Sequence, residues 1–244
     1  MSKPTRICLV GATGLVGSAL ISACVGRSDV KLTAVARNEA ALPRGARMEV
    51  LLAPTTGWAD AIAAARPDVL VCALGTTWKK AGKNEAAFRL VDERLVLNCA
   101  KWGLEAGARQ LIAVSSIGAD RAAKQTYLRV KGEVENELLR SEYKRIDILR
   151  PGLLLGKRAE MRPLERIAQL LAPVIDLLLM GKYARYRSIH ADVLAQAMLA
   201  LAQQKSRGRF VLEHDDILRA IRRQALEASV RHAVHSGQTS APVD

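Results

Sequence analysis

Aromatic side chains are scarce, at 4% of the 244 residues. The core must therefore be built from Leu, Val, Ile and Ala, and the chain lacks the stacking platform that single-stranded nucleic acids require. The four cysteines (Cys8, Cys24, Cys72, Cys99) have no CxxC spacing and sit within apolar runs. Buried free thiols in a reducing compartment explain them better than disulfides or a metal. His190, His214, His232 and His235 have no ligand spacing with Cys or Asp, so no metal site is expected. Long hydrophobic runs are also missing. The most apolar late stretch, Ile167 to Met180, contains Pro173 and Asp176 and is too short to span a bilayer. No signal peptide is visible, because Ser2-Lys3-Pro4 leads straight into a strand-like segment. The expectation from these absences is a cytoplasmic chain with no membrane span.

Positive charge, by contrast, is abundant: 37 Lys and Arg against 24 Asp and Glu give +13. The denser clusters are Lys79-Lys80-Lys83, Lys157-Arg158-Arg162-Arg166 and Lys182-Arg185-Arg187. No nucleic-acid motif accompanies them. A basic surface with an anion-binding cleft is favoured over a specific nucleic-acid binder, although weak, salt-sensitive association with DNA would be compatible with it. Half of the residues are hydrophobic and a quarter charged, as in ordinary globular proteins.

The most informative stretch is at the start. Ile7-Cys8-Leu9-Val10 runs into Gly11-Ala12-Thr13-Gly14-Leu15-Val16-Gly17, followed by an apolar-periodic helix. Gly11 permits a tight turn, Gly14 admits a close backbone approach to phosphate, and Gly17 allows close helix–strand packing. The unpaired N–H groups of the helix start then face negative charge. This makes Gly11, Thr13, Gly14, Leu15, Val16 and Gly17 candidate dinucleotide contacts. The GxxGxxG spacing differs from the commoner GxGxxG, and position rather than spacing carries the assignment.

Strands are expected at Arg6–Val10, Lys31–Ala36, Arg47–Leu51, Asp68–Leu74, Arg109–Ser115 and Arg145–Leu149. Helical patterns lie between most of them, at Gly14–Val25, Ala59–Ala65, Glu85–Glu105 and Tyr127–Ser141. Strands apolar on both faces and alternating with helices indicate an α/β, Rossmann-type, doubly wound parallel sheet over residues 1–150. After Pro151 the pattern gives helices over Arg162–Met180 (broken at Pro173), Ala191–Gln203 and Asp216–Val230, with a short strand at Phe210–Leu212. Residues 151–235 are too few for an independent core and are expected to pack on the same domain and close the cleft. Residues 236–244 read as a frayed tail.

The second strand ends in Arg37-Asn38, with no carboxylate before Glu39. An acidic residue there would hold the ribose hydroxyls of NAD, whereas an arginine suits the 2′-phosphate of NADP. NADP is therefore preferred over NAD, with Arg44 and Arg47 in reserve. The fifth strand ends in Ser115-Ser116, and Tyr127 and Lys131 follow on one helical face. A phenol titrates near ~10, and a neighbouring ammonium lowers that value, so the pair suits proton exchange with a substrate oxygen. A tyrosine and a lysine four apart also occur by chance in many helices; their place in the chain argues for function. His190 is read as a residue at the start of a helix, with Asp192 in its first turn, rather than as a catalytic group. Lys79, Lys80 and Lys83 are open between an anion contact and a solvated turn.

The order of these features resembles the short-chain dehydrogenase/reductase superfamily, and more narrowly its atypical, Tat-interacting-protein-like NAD(P)-binding branch. The carrying stretches are the glycine turn, Cys72-Ala73-Leu74-Gly75-Thr76-Thr77, Val114-Ser115-Ser116-Ile117-Gly118-Ala119, Tyr127 to Glu135, and Leu149-Arg150-Pro151-Gly152-Leu153-Leu154-Leu155-Gly156. The resemblance implies Ser116, Tyr127 and Lys131 as the catalytic set, with Lys131 also holding the nicotinamide ribose. It implies that Leu74, Gly75 and Thr76 line the cofactor cleft and that Pro151, Gly152 and Leu153 follow the nicotinamide. Ser116 takes precedence over Ser115 as the second serine of the pair. Two features depart from the pattern: the Ser-to-Tyr interval is short, and the helix asparagine of many members has no clear counterpart, Asn98 being nearest. The expectation is an NADP(H)-dependent oxidoreductase acting on a small carbonyl-type substrate. The alternative is an NADPH-binding sensor with little or no turnover. Many members dimerise through a helix like Glu85–Glu105, which leaves a homodimer open.

Overall fold

The computed structural model describes residues 3–40, 42–156, 179 and 181–235. The helix expected over Arg162–Met180, the cluster Lys157-Arg158-Arg162-Arg166 and the tail lie outside those residues, apart from Leu179.

Among the described residues nine strands form: β1 (Thr5–Val10), β2 (Val30–Ala36), β3 (Glu49–Leu52), β4 (Val69–Cys72), β5 (Gln110–Val114), β6 (Arg145–Leu149), β7 (Leu154–Leu155), β8 (Ile189–His190) and β9 (Gly208–Leu212). Seven of them make one sheet, in the order β3-β2-β1-β4-β5-β6-β9. Every pairing in it is parallel. β7 and β8 form a separate two-stranded parallel sheet. The helices are α1 (Leu15–Ala23), α2 (Trp58–Ala65), α3 (Glu85–Arg89), α4 (Val96–Glu105), α5 (Thr126–Arg140), α6 (Ala191–Ala202) and α7 (His214–His235). A π-helical segment, Leu90–Leu95, joins α3 to α4.

β1 shows why both faces must be covered. Its residues alternate sides, so Ile7 and Leu9 pack with Leu20, Ile21, Leu194 and Met198 from α1 and α6. Cys8 and Val10 join Trp58, Ile62, Phe88 and Val134 on the opposite face. All four residues of β4 and all five of β6 are buried, as strands covered by helices on both sides require. α6 packs along α1, and β9 extends the sheet beside β6, so residues after Pro151 share the first core cluster.

The strand order reverses between β1 and β4. In sheets of this kind ligands enter at that point, outside the carboxyl ends of the strands. At the opposite end of the sheet, the buried Arg145 and Asp147 pair at 2.6 Å. Gln110 donates to Asp147 at 2.7 Å, and Arg145 stacks over Phe210 at 4.3 Å. Burial pushes the Asp147 carboxyl up, and Arg145 and Gln110 work against that rise. This cluster ties β5, β6 and β9 together far from the switch point.

Candidate functional site

The turn after β1 meets the chain leaving β4 at the switch point. Gly11 has a φ of 93°, in the left-handed region, and a Cβ there would lie 2.5 Å from the Ala73 carbonyl oxygen. A Cβ on Gly17 would lie 2.1 Å from the Gly11 oxygen, so only glycine lets α1 start this close to β1. Gly14 occupies the N-cap position of α1 without a side-chain cap. Its own Cβ would meet only ordinary-to-tight contacts, 3.3 Å from the Gly11 oxygen. Thr13 and Gly14 are exposed, Leu15 is half-buried, and Val16 and Gly17 are buried. The start of α1 thus presents backbone N–H groups, with no acidic residue in its first turn, at the mouth of the switch point. These features fit a dinucleotide pyrophosphate.

Arg37, Asn38 and Glu39 are exposed immediately after β2. Arg37 makes no ion pair with any described residue. Arg44 and Arg47 are exposed further along the same loop.

α5 carries Tyr127 and Lys131 one turn apart. Tyr127 is half-buried, with its ring 5.5 Å from that of Phe88, which in turn meets Trp78 edge-on at 5.8 Å. Lys131 is 7% exposed, and its Nζ lies 2.8 Å from Asp92 Oδ1. Asp92, in the π-helical segment, is fully buried. Its other oxygen accepts the Thr76 backbone N–H at 2.7 Å. A Cβ on Gly75 would lie 3.4 Å from Asp92 Oδ1 and 3.9 Å from Lys131 Nζ. The loop after β4 (Leu74, Gly75, Thr76) and the Tyr/Lys helix are therefore brought into contact through a buried ion pair. Burial pulls the Lys131 ammonium's pKa down, but the Asp92 charge and, after it, Tyr127 hold it above its ordinary value.

The two serines after β5 have different surroundings. The Ser115 hydroxyl donates to Glu135, a buried carboxylate on α5 that also accepts from Arg150 Nε at 3.0 Å. Among the described residues the Ser116 hydroxyl makes only a 3.3 Å contact, to the neighbouring Ile117 carbonyl. Pro151 is buried and Leu153 is 47% exposed. Gly152 packs so closely on the chain before β8 that a Cβ would sit 2.4 Å from the Arg187 oxygen. A Cβ on Gly156 would reach within 2.8 Å of Leu15 Cδ1, which brings this stretch back to the start of α1.

Several candidates lie apart from this centre. Asn98 is exposed on α4, and the buried polar residue of that helical run is Asp92, which the sequence reading missed. A signal for it existed. Asp92 is four residues from both Phe88 and Val96 and so interrupts an otherwise apolar stripe. His190 is the N-cap residue of α6, exposed and without a capping side-chain bond, and Asp192 is in the first turn. Lys79, Lys80 and Lys83 are exposed on a tight turn in which Lys83 has a φ of 56°. None of the three has an ion pair among the described residues.

Comparison with known proteins agrees with this geometry. Residues 11–168 match the family described as NAD(P)H-binding. Protein fmp52, mitochondrial, of Aspergillus niger is 31% identical over 199 residues, covering 79% of this chain and 84% of its own length. Its counterpart in Emericella nidulans is 32% identical over 174 residues, covering 68% and 74%. Among solved structures, MoeE5 in complex with UDP-glucose and NAD superposes with a TM-score of 0.63 at 14% identity, covering 92% of this chain and 82% of that one. The UDP-N-acetylglucosamine 4-epimerase of Methanobrevibacter ruminantium gives 0.64 at 13% identity, covering 87% and 77%. At such identities the likeness concerns the fold.

One expectation is made more specific by these relatives and one is corrected. They carry the Fmp52 name, which gives the group within the NAD(P)H-binding family. They are also named mitochondrial, which overturns the expectation of a cytoplasmic chain. Unpaired thiols suit any reducing compartment and did not separate the two. The chain belongs to the NAD(P)H-binding family with a Rossmann-type fold, and within it to the relatives of Fmp52.

Proposed function

We propose that this protein is an NADP(H)-dependent oxidoreductase of short-chain dehydrogenase type, reducing or oxidising a carbonyl-type small molecule with Tyr127 as general acid/base. The observation that carries the reading is the buried Lys131 ammonium. It sits one helical turn from Tyr127 and beneath the Gly75–Thr76 loop at the switch point.

The glycine turn, with the N–H groups of Thr13, Leu15, Val16 and Gly17, binds the pyrophosphate. Arg37, exposed and unpaired among the described residues, grips the 2′-phosphate of NADP, which makes NADP the preferred cofactor over NAD. Leu74, Gly75 and Thr76 line the cleft, and Pro151, Gly152 and Leu153 flank the nicotinamide. The cofactor, when bound, supplies or accepts the hydride. Ser116, whose hydroxyl is not committed to a buried partner as that of Ser115 is, orients the substrate oxygen. Lys131 holds the ribose, and Tyr127, one helical turn away, exchanges the proton at that oxygen. Residues 1–150 form the dinucleotide-binding core and 151–235 the substrate side. The relatives' names support a mitochondrial location.

Tyr127→Phe tests the mechanism. NADPH consumption over a panel of aldehydes and ketones is expected to fall by at least about a hundredfold, with NADPH affinity changed less than about twofold. Full activity in that variant would refute the assignment. NADPH binding with no turnover on any carbonyl would return the sensor reading.

A further inference from the structure

The helical run from Glu85 to Glu105 buries Phe88, Val96 and Cys99, and among them the carboxylate of Asp92. A carboxylate without solvent is strongly destabilising unless it is paired. Asp92 spends its two oxygens on two different elements: the Thr76 N–H of the loop after β4 and the Lys131 Nζ of α5. It does so from a π-helical segment, a distortion frequent at functional sites. The Lys131 contact is an ion pair at 2.8 Å without an aligned hydrogen bond, which leaves Asp92 Oδ1 otherwise unbonded among the described residues.

The geometry points to Asp92 as a positioning residue for the proposed chemistry: it fixes Lys131 under the Gly75–Thr76 loop, so that the cofactor-lining loop and the Tyr127 helix are set as one unit. The inference rests on the reading of Lys131 as the ribose-holding cation. Asp92 faces that cation from the π segment, Tyr127 from its own helix and Cys72 from β4. Burial pushes the Cys72 thiol up to about 11, so it is neutral at physiological pH and Asp92 is the anion of the group. Without Asp92, the largest influence that holds Lys131 charged is gone, and burial pulls its pKa down against the smaller opposition of Tyr127 and Cys72.

Asp92→Asn keeps the side chain's size and its bond to Thr76 and removes the charge. NADPH affinity of the unaltered protein is expected to change less than about twofold between about pH 6 and about pH 9, because Lys131 remains an ammonium throughout. In Asp92→Asn the affinity falls progressively, by about tenfold or more at the upper end, as Lys131 loses its proton. In a Lys131→Met background the same Asp92 change moves affinity less than about twofold. A merely structural pair would weaken binding equally at every pH, and equally with or without Lys131; either result overturns the proposal.

A second measurement needs no cofactor and is made on the unaltered protein, with Lys131→Met used only to assign the signal. In protein carrying isotope-labelled lysine Cε, the Lys131 resonance, assigned by its loss in Lys131→Met, titrates at higher pH than those of the exposed lysines. Titration with the exposed lysines or below them overturns the proposal on its own. Failure of the unaltered protein to bind either nucleotide overturns the functional reading and this proposal with it. Nucleotide binding with a pH-independent Asp92→Asn overturns the proposal alone.

Discussion

The glycine turn allows its packing role and its binding role to be separated. At Gly17, an alanine Cβ would stand 2.1 Å from the Gly11 oxygen and 2.9 Å from Ala12 Cα, both backbone atoms that cannot swing away. Ordinary contact needs roughly 3.5 Å, so α1 would have to retreat from β1 by about 1 Å, and overpacking on that scale costs about 1–3 kcal/mol. For a chain of this size each kcal/mol lowers Tm by about 2–4 °C. Gly17→Ala is therefore expected to melt some 2–12 °C early, an order-of-magnitude range. At Gly14 the backbone is extended, with φ −79° and ψ 166°, and the tightest Cβ contact is 3.3 Å. Gly14→Ala loses about 1 kcal/mol from a poorer N-cap. Its methyl group would stand beside the exposed N–H groups of α1, where the pyrophosphate is proposed to lie. NADPH affinity should then drop by at least about tenfold, near the ~1.5 kcal/mol of one charge-assisted hydrogen bond. Differential scanning calorimetry and fluorescence titration of both variants provide the assay. A Gly14→Ala protein with unchanged NADPH affinity would refute the placing of phosphate at α1, and a Gly17→Ala protein as stable as the original would refute the packing argument.

Three further outcomes follow from other parts of the molecule. Arg145→Met strands the fully buried Asp147 and should cost about 3–5 kcal/mol in chemical denaturation. Because burial already raises the folded-state pKa of Asp147, losing Arg145 raises it further. The deficit of the variant should be full at neutral pH and shrink as pH falls through that raised value, so a deficit that grows in acid would contradict the assignment. Ser115→Ala leaves Glu135 bonded to Arg150 and should lower stability by about 1 kcal/mol with little effect on carbonyl reduction. Ser116→Ala should do the reverse, and a reversal of the two profiles in paired melting and turnover assays would move the substrate contact to Ser115.

The sheet was legible because its strands are short apolar runs separated by helices, and the glycine turn placed the switch point. All six strands expected in the first 150 residues form, with ends shifted by a few residues, and Phe210–Leu212 proves to be the C-terminal part of β9. β7 and β8 escaped notice because two residues carry no periodicity. The π segment was invisible for a related reason: the helical run Glu85–Glu105 keeps its apolar stripe through it, and a local change of helical pitch leaves little trace in hydropathy. Polar residues committed to the interior were missed where reasoning relied on motif spacing. Asp92 and Glu135 both lie on buried helical stripes, Asp92 between Phe88 and Val96, and Glu135 between Val134 and Leu138. A buried acidic residue on an apolar stripe calls for a cationic partner, and the buried Lys131 and the half-buried Arg150 are those cations. The compartment was not legible, since thiol chemistry and surface charge are compatible with more than one.

The central claim is that this chain binds NADPH through the glycine turn and reads its 2′-phosphate with Arg37. Titrating the purified protein and an Arg37→Ala variant with NADPH and with NADH tests it directly. The account predicts NADPH binding about ten- to a hundredfold tighter than NADH, with most of that preference lost in the variant while NADH affinity is little changed. Equal affinities for the two nucleotides, or a preference that survives removal of Arg37, would contradict it.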